Sequence, residues 1–150
     1  MNAIAASSST DPGPVRRFGC AWVALALAIG VHVADEALTG FLGVYNPMVR
    51  AIRQRLPFLP LPTFTFGIWL AGLVAGVTLL LALAPLALRG SRRIVGIAFP
   101  LSLLMCANGA GHIAGSFYLG RPAPGVLSTP LLLVAAAWLL VEAVRRREAP

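Results

Sequence analysis

Four stretches of this chain are long, apolar and all but free of charge, which leaves them no solvated face. They cover residues 18–43, 64–88, 94–119 and 126–144. A helix on the surface of a soluble domain keeps one polar face. About 20 apolar residues, rising 1.5 Å each, instead match the thickness of a bilayer's hydrocarbon core. Only 11% of the residues are charged, against about a quarter in soluble domains, and the mean hydropathy is +0.83. A soluble fold of 150 residues with this composition would have almost nothing polar left to cover its outside. The expected fold is all-α, a four-helix transmembrane bundle forming one membrane domain over residues 16–147. Residues 1–15 read as a disordered tail, and residues 148–150 as a short C-terminal tail. Arg16 and Arg17 before an apolar stretch suggest a signal peptide, but the stretch outruns signal-peptide length and lacks a small-x-small cleavage site at its end.

The formal charge of +7 comes entirely from arginine. The arginines cluster at the ends of apolar runs, where they meet lipid headgroups. They form no stripe and no aromatic-interleaved patch, so nucleic acid is excluded as a partner and membrane lipid is expected. Placing the N-terminus in the cytoplasm puts Arg16, Arg17, Arg89, Arg92, Arg93, Arg145, Arg146 and Arg147 inside. Only Arg50, Arg53, Arg55 and Arg121 then lie outside. That balance predicts cytoplasmic termini at both ends of a multi-pass protein. Between the first two spans, Met48, Val49, Ile52 and Leu56 recur at helical spacing among arginines, which predicts a short amphipathic helix in the headgroup plane over residues 45–59. Gly72/Gly76 and Gly111/Gly115 have the spacing that allows close helix approach. Pro85 and Pro100 are placed near span ends, where a lost backbone hydrogen bond costs little. Trp22, Trp69 and Trp138 read as interface or packing aromatics, and Glu142 as a local partner of Arg145 and Arg146. Cys20 and Cys106 lack metal or redox spacing and read as buried thiols.

The informative residues are the polar ones inside the spans. His32, Asp35 and Glu36 share one side of the first span, with Thr39 a turn further on. In the third span Asn108 stacks on His112, and Ser116 continues the line. Counting a rise of 1.5 Å per residue, His32 and Asn108 each lie roughly 21 Å from the start of their helix, and Glu36 and His112 both near 27 Å. One shared cluster in the outer half of the bilayer explains both motifs, with Ser128 and Thr129 of the fourth helix in reach. Ionisable groups at such depth face a bundle interior or cavity.

Three roles fit this cluster. His32, Asp35, Glu36 and His112 could ligate a divalent cation such as zinc, iron or manganese. His32, Glu36 and His112 could run acid–base chemistry without a metal, with Asn108, Ser116, Thr39 and Thr129 contacting substrate. Or the cluster could be a satisfied network that fixes helix packing. The corresponding functions are an enzyme acting on a lipid-soluble or periplasmic small molecule, a small carrier or proton-handling protein, and a membrane adaptor. The carrier would need to homodimerise, because four helices leave little room for a path, and the inner halves of the spans offer almost no polar residues to continue one.

At these residues the chain resembles a family of small bacterial integral membrane proteins of unknown function named for an HXXEE motif, which also carries NXXXH and YXPG motifs. The first appears as His32-Val33-Ala34-Asp35-Glu36, with aspartate in place of the first glutamate. The second is intact as Asn108-Gly109-Ala110-Gly111-His112. The third keeps only its Pro-Gly, in Pro122-Ala123-Pro124-Gly125. The resemblance implies a bacterial inner-membrane location and a shared purpose for His32, Glu36, Asn108 and His112, without supplying an activity.

Overall fold

A computed structural model describes residues 13–148, all helix and connecting turns. Residues 1–12 of the expected N-terminal tail and residues 149–150 of the C-terminal one lie outside the described residues. The helices are α1 (Pro14–Thr39), α2 (Phe41–Arg55), α3 (Phe66–Ala82), α4 (Ala84–Leu88), α5 (Arg92–Leu119) and α6 (Thr129–Glu148). Three helical stretches are long and apolar enough to cross a membrane: Pro14–Thr39, Phe66–Leu88 and Arg92–Leu119. The fourth expected span, α6, has 20 residues but carries Glu142 and Arg145–Arg147 towards its end, and it falls outside that apolar set.

Local chemistry sets these boundaries and moves several of them from their expected places. Pro14 stands at the start of α1, where its missing N–H costs nothing. Helix α1 stops at Thr39 rather than continuing to 43, because Gly40 takes the left-handed conformation at φ 79° and its N–H caps the Glu36 carbonyl. The amphipathic helix therefore begins at Phe41, four residues before its expected start, and ends at Arg55. Pro85 cannot donate a backbone hydrogen bond, and the second span breaks at Leu83 into α3 and α4. Pro100 lies within α5 rather than near its end. Helix α6 starts at Thr129, not Val126, with Pro130 in its first turn and a preceding turn at Gly125, φ 84°.

Helix α6 is the common partner of α1 and α5, which approach each other far less closely along their backbones. One face of α1 (Phe18, Trp22, Leu25, Ala28) packs on Leu132, Ala135, Ala136, Leu139 and Ala143 of α6, with Ile94 and Ala98 of α5 closing the core. Lipid is as apolar as these side chains, so packing and small residues rather than water expulsion hold such helices together. Gly19 of α1 lies where an added Cβ would meet the Leu88 Cα at 2.7 Å, and Gly109 of α5 where one would meet the Leu133 side chain at 2.7 Å. Close approach occurs at these two glycines. Gly72, Gly76 and Gly111 face open space instead, and Gly115 has an ordinary 3.6 Å clearance to Ala123. Near the α3–α4 break, Trp22 Nε1 donates to the Leu80 carbonyl at 2.8 Å, making Trp22 a packing aromatic.

The bundle has chemically different ends. At one end Arg146 reaches the Gly90 carbonyl, and Arg147 stacks on the Phe99 ring at 5.0 Å. The start of α1, the α4–α5 turn and the end of α6 therefore meet there, and each carries arginines. At the opposite end the packed face of α1 continues its three- and four-residue spacing from Ala28 to His32 and Glu36. The inward stripe of α6 ends there at Thr129, next to Ser128. The apolar core becomes polar at that end.

Candidate functional site

His32 and Glu36 are one turn apart on α1, and His112 enters from α5 on the other side. All three are buried, with exposures of 4%, 5% and 7%. Side chains thus join two helices whose backbones stay apart. His32 Nε2 and His112 Nε2 are 3.1 Å apart, His112 Nε2 and Glu36 Oε1 3.1 Å, and His32 Nε2 and Glu36 Oε1 3.7 Å. The imidazoles meet edge to face, with ring centres 4.7 Å apart, and Phe41 of α2 lies 5.9 Å from the His112 ring.

The outward side of each imidazole has its own partner. His32 Nδ1 is 2.8 Å from Ser128 Oγ, which is in turn 2.8 Å from Asp35 Oδ2. The Ser128 N–H also donates to Asp35 Oδ2 at 2.8 Å. A carboxylate only accepts, so the serine proton goes to Asp35 and the serine oxygen accepts from His32 Nδ1–H. This chain fixes the His32 tautomer with its Nε2 lone pair pointing inward. The Pro124 carbonyl lies close to the His112 ring, and a His112 Nδ1–H turned towards it would leave the Nε2 lone pair facing inward in the same way. In that tautomer two imidazole lone pairs and a carboxylate oxygen converge on one spot.

Those three atoms have the spacing of metal ligands. Their separations average about 3.3 Å, the edge of a tetrahedron with metal–ligand bonds of roughly 2.0–2.1 Å. The point equidistant from all three is about 1.9 Å from each, so bonds of that length reach them from one side of their plane and leave a fourth corner open. Two histidines and one carboxylate are a donor set suited to zinc, iron or manganese.

The remaining expected site residues surround this triangle. Asp35 does not join it and acts on His32 through Ser128. Thr39 Oγ1 donates to the Asp35 carbonyl and accepts from the Gly125 N–H at 3.2 Å. Ser116 Oγ donates to the His112 carbonyl and accepts from the Ala123 N–H, and Thr129 Oγ1 donates to the Gly125 carbonyl at 3.0 Å. These three hydroxyls fasten the α5–α6 loop over the cluster. Asn108 lies beside His32, close enough to act on it electrostatically, yet its buried Oδ1 makes no full hydrogen bond among the described residues. Glu142 is far from the site and pairs with Arg145 at 3.0 Å.

Three contributors fall outside the residues singled out for ligand or substrate roles. Ser128 supplies the link to Asp35. Pro124 provides the acceptor at His112. Gly125 packs so tightly that a Cβ there would lie 2.9 Å from both Glu36 Cγ and His112 Cε1. The sequence placed Ser128 within reach of the cluster, and the Pro-Gly pair before the fourth helix was the signal for Pro124 and Gly125. Partners of this kind orient a ligating histidine and set its basicity, and their loss typically lowers metal affinity about 10–100-fold. Ser128→Ala is therefore expected to weaken zinc binding by that factor in a competition titration and to leave helicity unchanged.

No curated protein and no solved structure matches the chain. Residues 22–139 match the model of a family described as protein of unknown function with HXXEE motif. In this chain the motif's outer positions, His32 and Glu36, are the ones that meet His112, and the position that departs from the pattern, Asp35, is the one outside the triangle. The matched span takes in both polar motifs, the loop that covers them and most of the helical segments that carry them, and the chain belongs to the HXXEE family.

Proposed function

We propose that this protein is a membrane-embedded metalloenzyme, with one divalent ion held by His32, Glu36 and His112 and a lipid-soluble or periplasmic small molecule as substrate. The observation that carries the reading is the convergence of two imidazole Nε2 atoms and a carboxylate oxygen within 3.1–3.7 Å of one another. A single proton can bridge one edge of that triangle, such as the 3.1 Å His112–Glu36 contact, whereas a cation at its centre satisfies all three. Three protein ligands favour catalysis over structure, because structural zinc sites use a fourth protein ligand while catalytic ones keep that position open. A metal held there would polarise a carbonyl or lower the pKa of a bound water. The protein's own part is to hold the two imidazoles in the ligating tautomer and to keep the centre dry.

The membrane arrangement belongs to the same proposal. Helix α6 packs along both α1 and α5, so it crosses wherever they cross and completes a four-span bundle. The arginine-bearing end then lies in the cytoplasm with both termini, and the metal centre in the outer half of the bilayer.

Elemental mass spectrometry on protein purified without chelators tests the reading, with reconstitution in zinc, iron(II) or manganese. About one equivalent of metal per chain is expected, as for a mononuclear site. Absence of metal under every loading condition overturns it and leaves the His112–Glu36 contact as a proton-handling pair.

A further inference from the structure

Beside the metal centre, α2 and α5 flank a half-open cavity of about 550 Å³, within the range of small-ligand pockets. Its α2 wall is Phe41, Val44, Met48 and Ala51, and its α5 wall runs from Asn108 and His112 to Leu119. Wall α2 is held from its far side. The Asn46 amide makes a two-way pair with the backbone of Phe64, at 2.9 and 3.1 Å, and Tyr45 donates to the Pro62 carbonyl. Phe41 also stacks on Trp69 at 5.8 Å. The cavity is thus formed before any ligand arrives.

Its chemistry is uneven along its length. The lining is mostly apolar and contains no charged side chain. Polar groups gather where Asn108 and His112 line the cavity, and the Asn108 side-chain NH2 is a donor for an uncharged oxygen. We infer that this cavity binds an uncharged, lipid-soluble amphiphile, with its apolar body along Val44, Met48 and Leu119 and its oxygen-bearing end at Asn108 and His112. A free acid or phosphate would bring charge into an apolar space with no arginine to receive it. The inference rests on the metal-centre reading only for what the polar end finally meets.

The probe is the methyl ester of a hexadecanoic acid bearing a mid-chain diazirine, added to zinc-loaded protein in nanodiscs. Irradiation is followed by peptide mapping, and ester and free acid are compared on chelator-treated protein, where no zinc is present to receive the carboxylate. Label is expected on residues 41–51 and 115–119, displaced by excess methyl hexadecanoate and weaker with the acid. Gly111 lines the cavity and has open space at its Cβ position, so Gly111→Leu should cut labelling by about tenfold or more with metal content unchanged. Ala51→Phe narrows the opposite wall and serves if the first variant misfolds. Label spread over lipid-facing side chains and indifferent to both variants overturns the inference, as does preference for the acid. Metal-loaded protein without cavity labelling sinks the inference alone. Concentrated, blockable labelling in protein that holds no metal supports the cavity and sinks the metal reading alone.

Discussion

Glu36→Gln is expected to abolish metal binding while leaving the metal-free protein as stable as the parent, or more so. The substitution keeps the shape of the side chain and replaces an acceptor oxygen with a group that also donates. On the metal reading, the parent without metal leaves three acceptors facing one another at 3.1–3.7 Å in a buried space, and an unsatisfied buried acceptor costs about 1–3 kcal/mol. A glutamine N–H offers one of those imidazoles a partner. With metal the order reverses: a ligand held at 100 times its Kd stabilises the parent by about 2.7 kcal/mol, and the variant gains nothing. The network reading predicts the opposite in chelator. If His112 and Glu36 are a buried ion pair, removing one charge strands the other and costs about 3–5 kcal/mol. Thermal unfolding of both proteins, with zinc and with chelator, separates the two. A variant that melts well below the parent in chelator would sink the metal reading in favour of the ion pair.

The parts of the fold and site that could be read from sequence are those that depend on a residue's own chemistry. Apolar length marks α1, α3 and α5 because a bilayer's thickness acts on each helix separately. His32, Glu36 and His112 stand out because an ionisable group inside an apolar run needs a reason to be there. Features set by contact between segments were hidden. Asp35 and Glu36 are three and four residues from His32, and helical spacing alone gives them equal claims as ligands. The packing separates them: Glu36 turns to α5, and Asp35 turns to Ser128 in the loop before α6. The end of α1 was obscured for a related reason. Gly40 follows Leu38-Thr39 and precedes Phe41-Leu42 without a proline or charge to mark a break, and only its positive φ shows that the chain leaves one helix there and starts another. Ser128 lay within expected reach, but its link from His32 to Asp35 exists only once the loop is folded down by Thr39, Ser116 and Thr129.

That loop sets the second large expectation. Gly125→Ala should reduce metal affinity by at least the ~10–100-fold that follows loss of a ligand-orienting partner, although it removes no ligand and no hydrogen-bonding group. Two independent constraints meet at this position. Its φ of 84° lies in the left-handed region, where a side chain adds strain of order 1–3 kcal/mol. Its absent Cβ also leaves the space that Glu36 and His112 occupy at 2.9 Å. An alanine must therefore push both ligands or lift the loop. Lifting the loop loosens the Thr39 and Thr129 bonds to the Gly125 backbone and carries Ser128 away from His32. Pushing the ligands spreads the triangle beyond the reach of one ion. Both routes weaken the same measured quantity, so zinc competition titration reads them together, and the melting temperature in chelator reports the backbone strain alone. Gly40→Ala is the control, since Gly40 has a similar φ of 79° and open space around its Cβ position. It should lower stability comparably and leave metal affinity near that of the parent. Equal losses of affinity in the two variants would mean that backbone strain, rather than the fit of Gly125 against Glu36 and His112, governs the site.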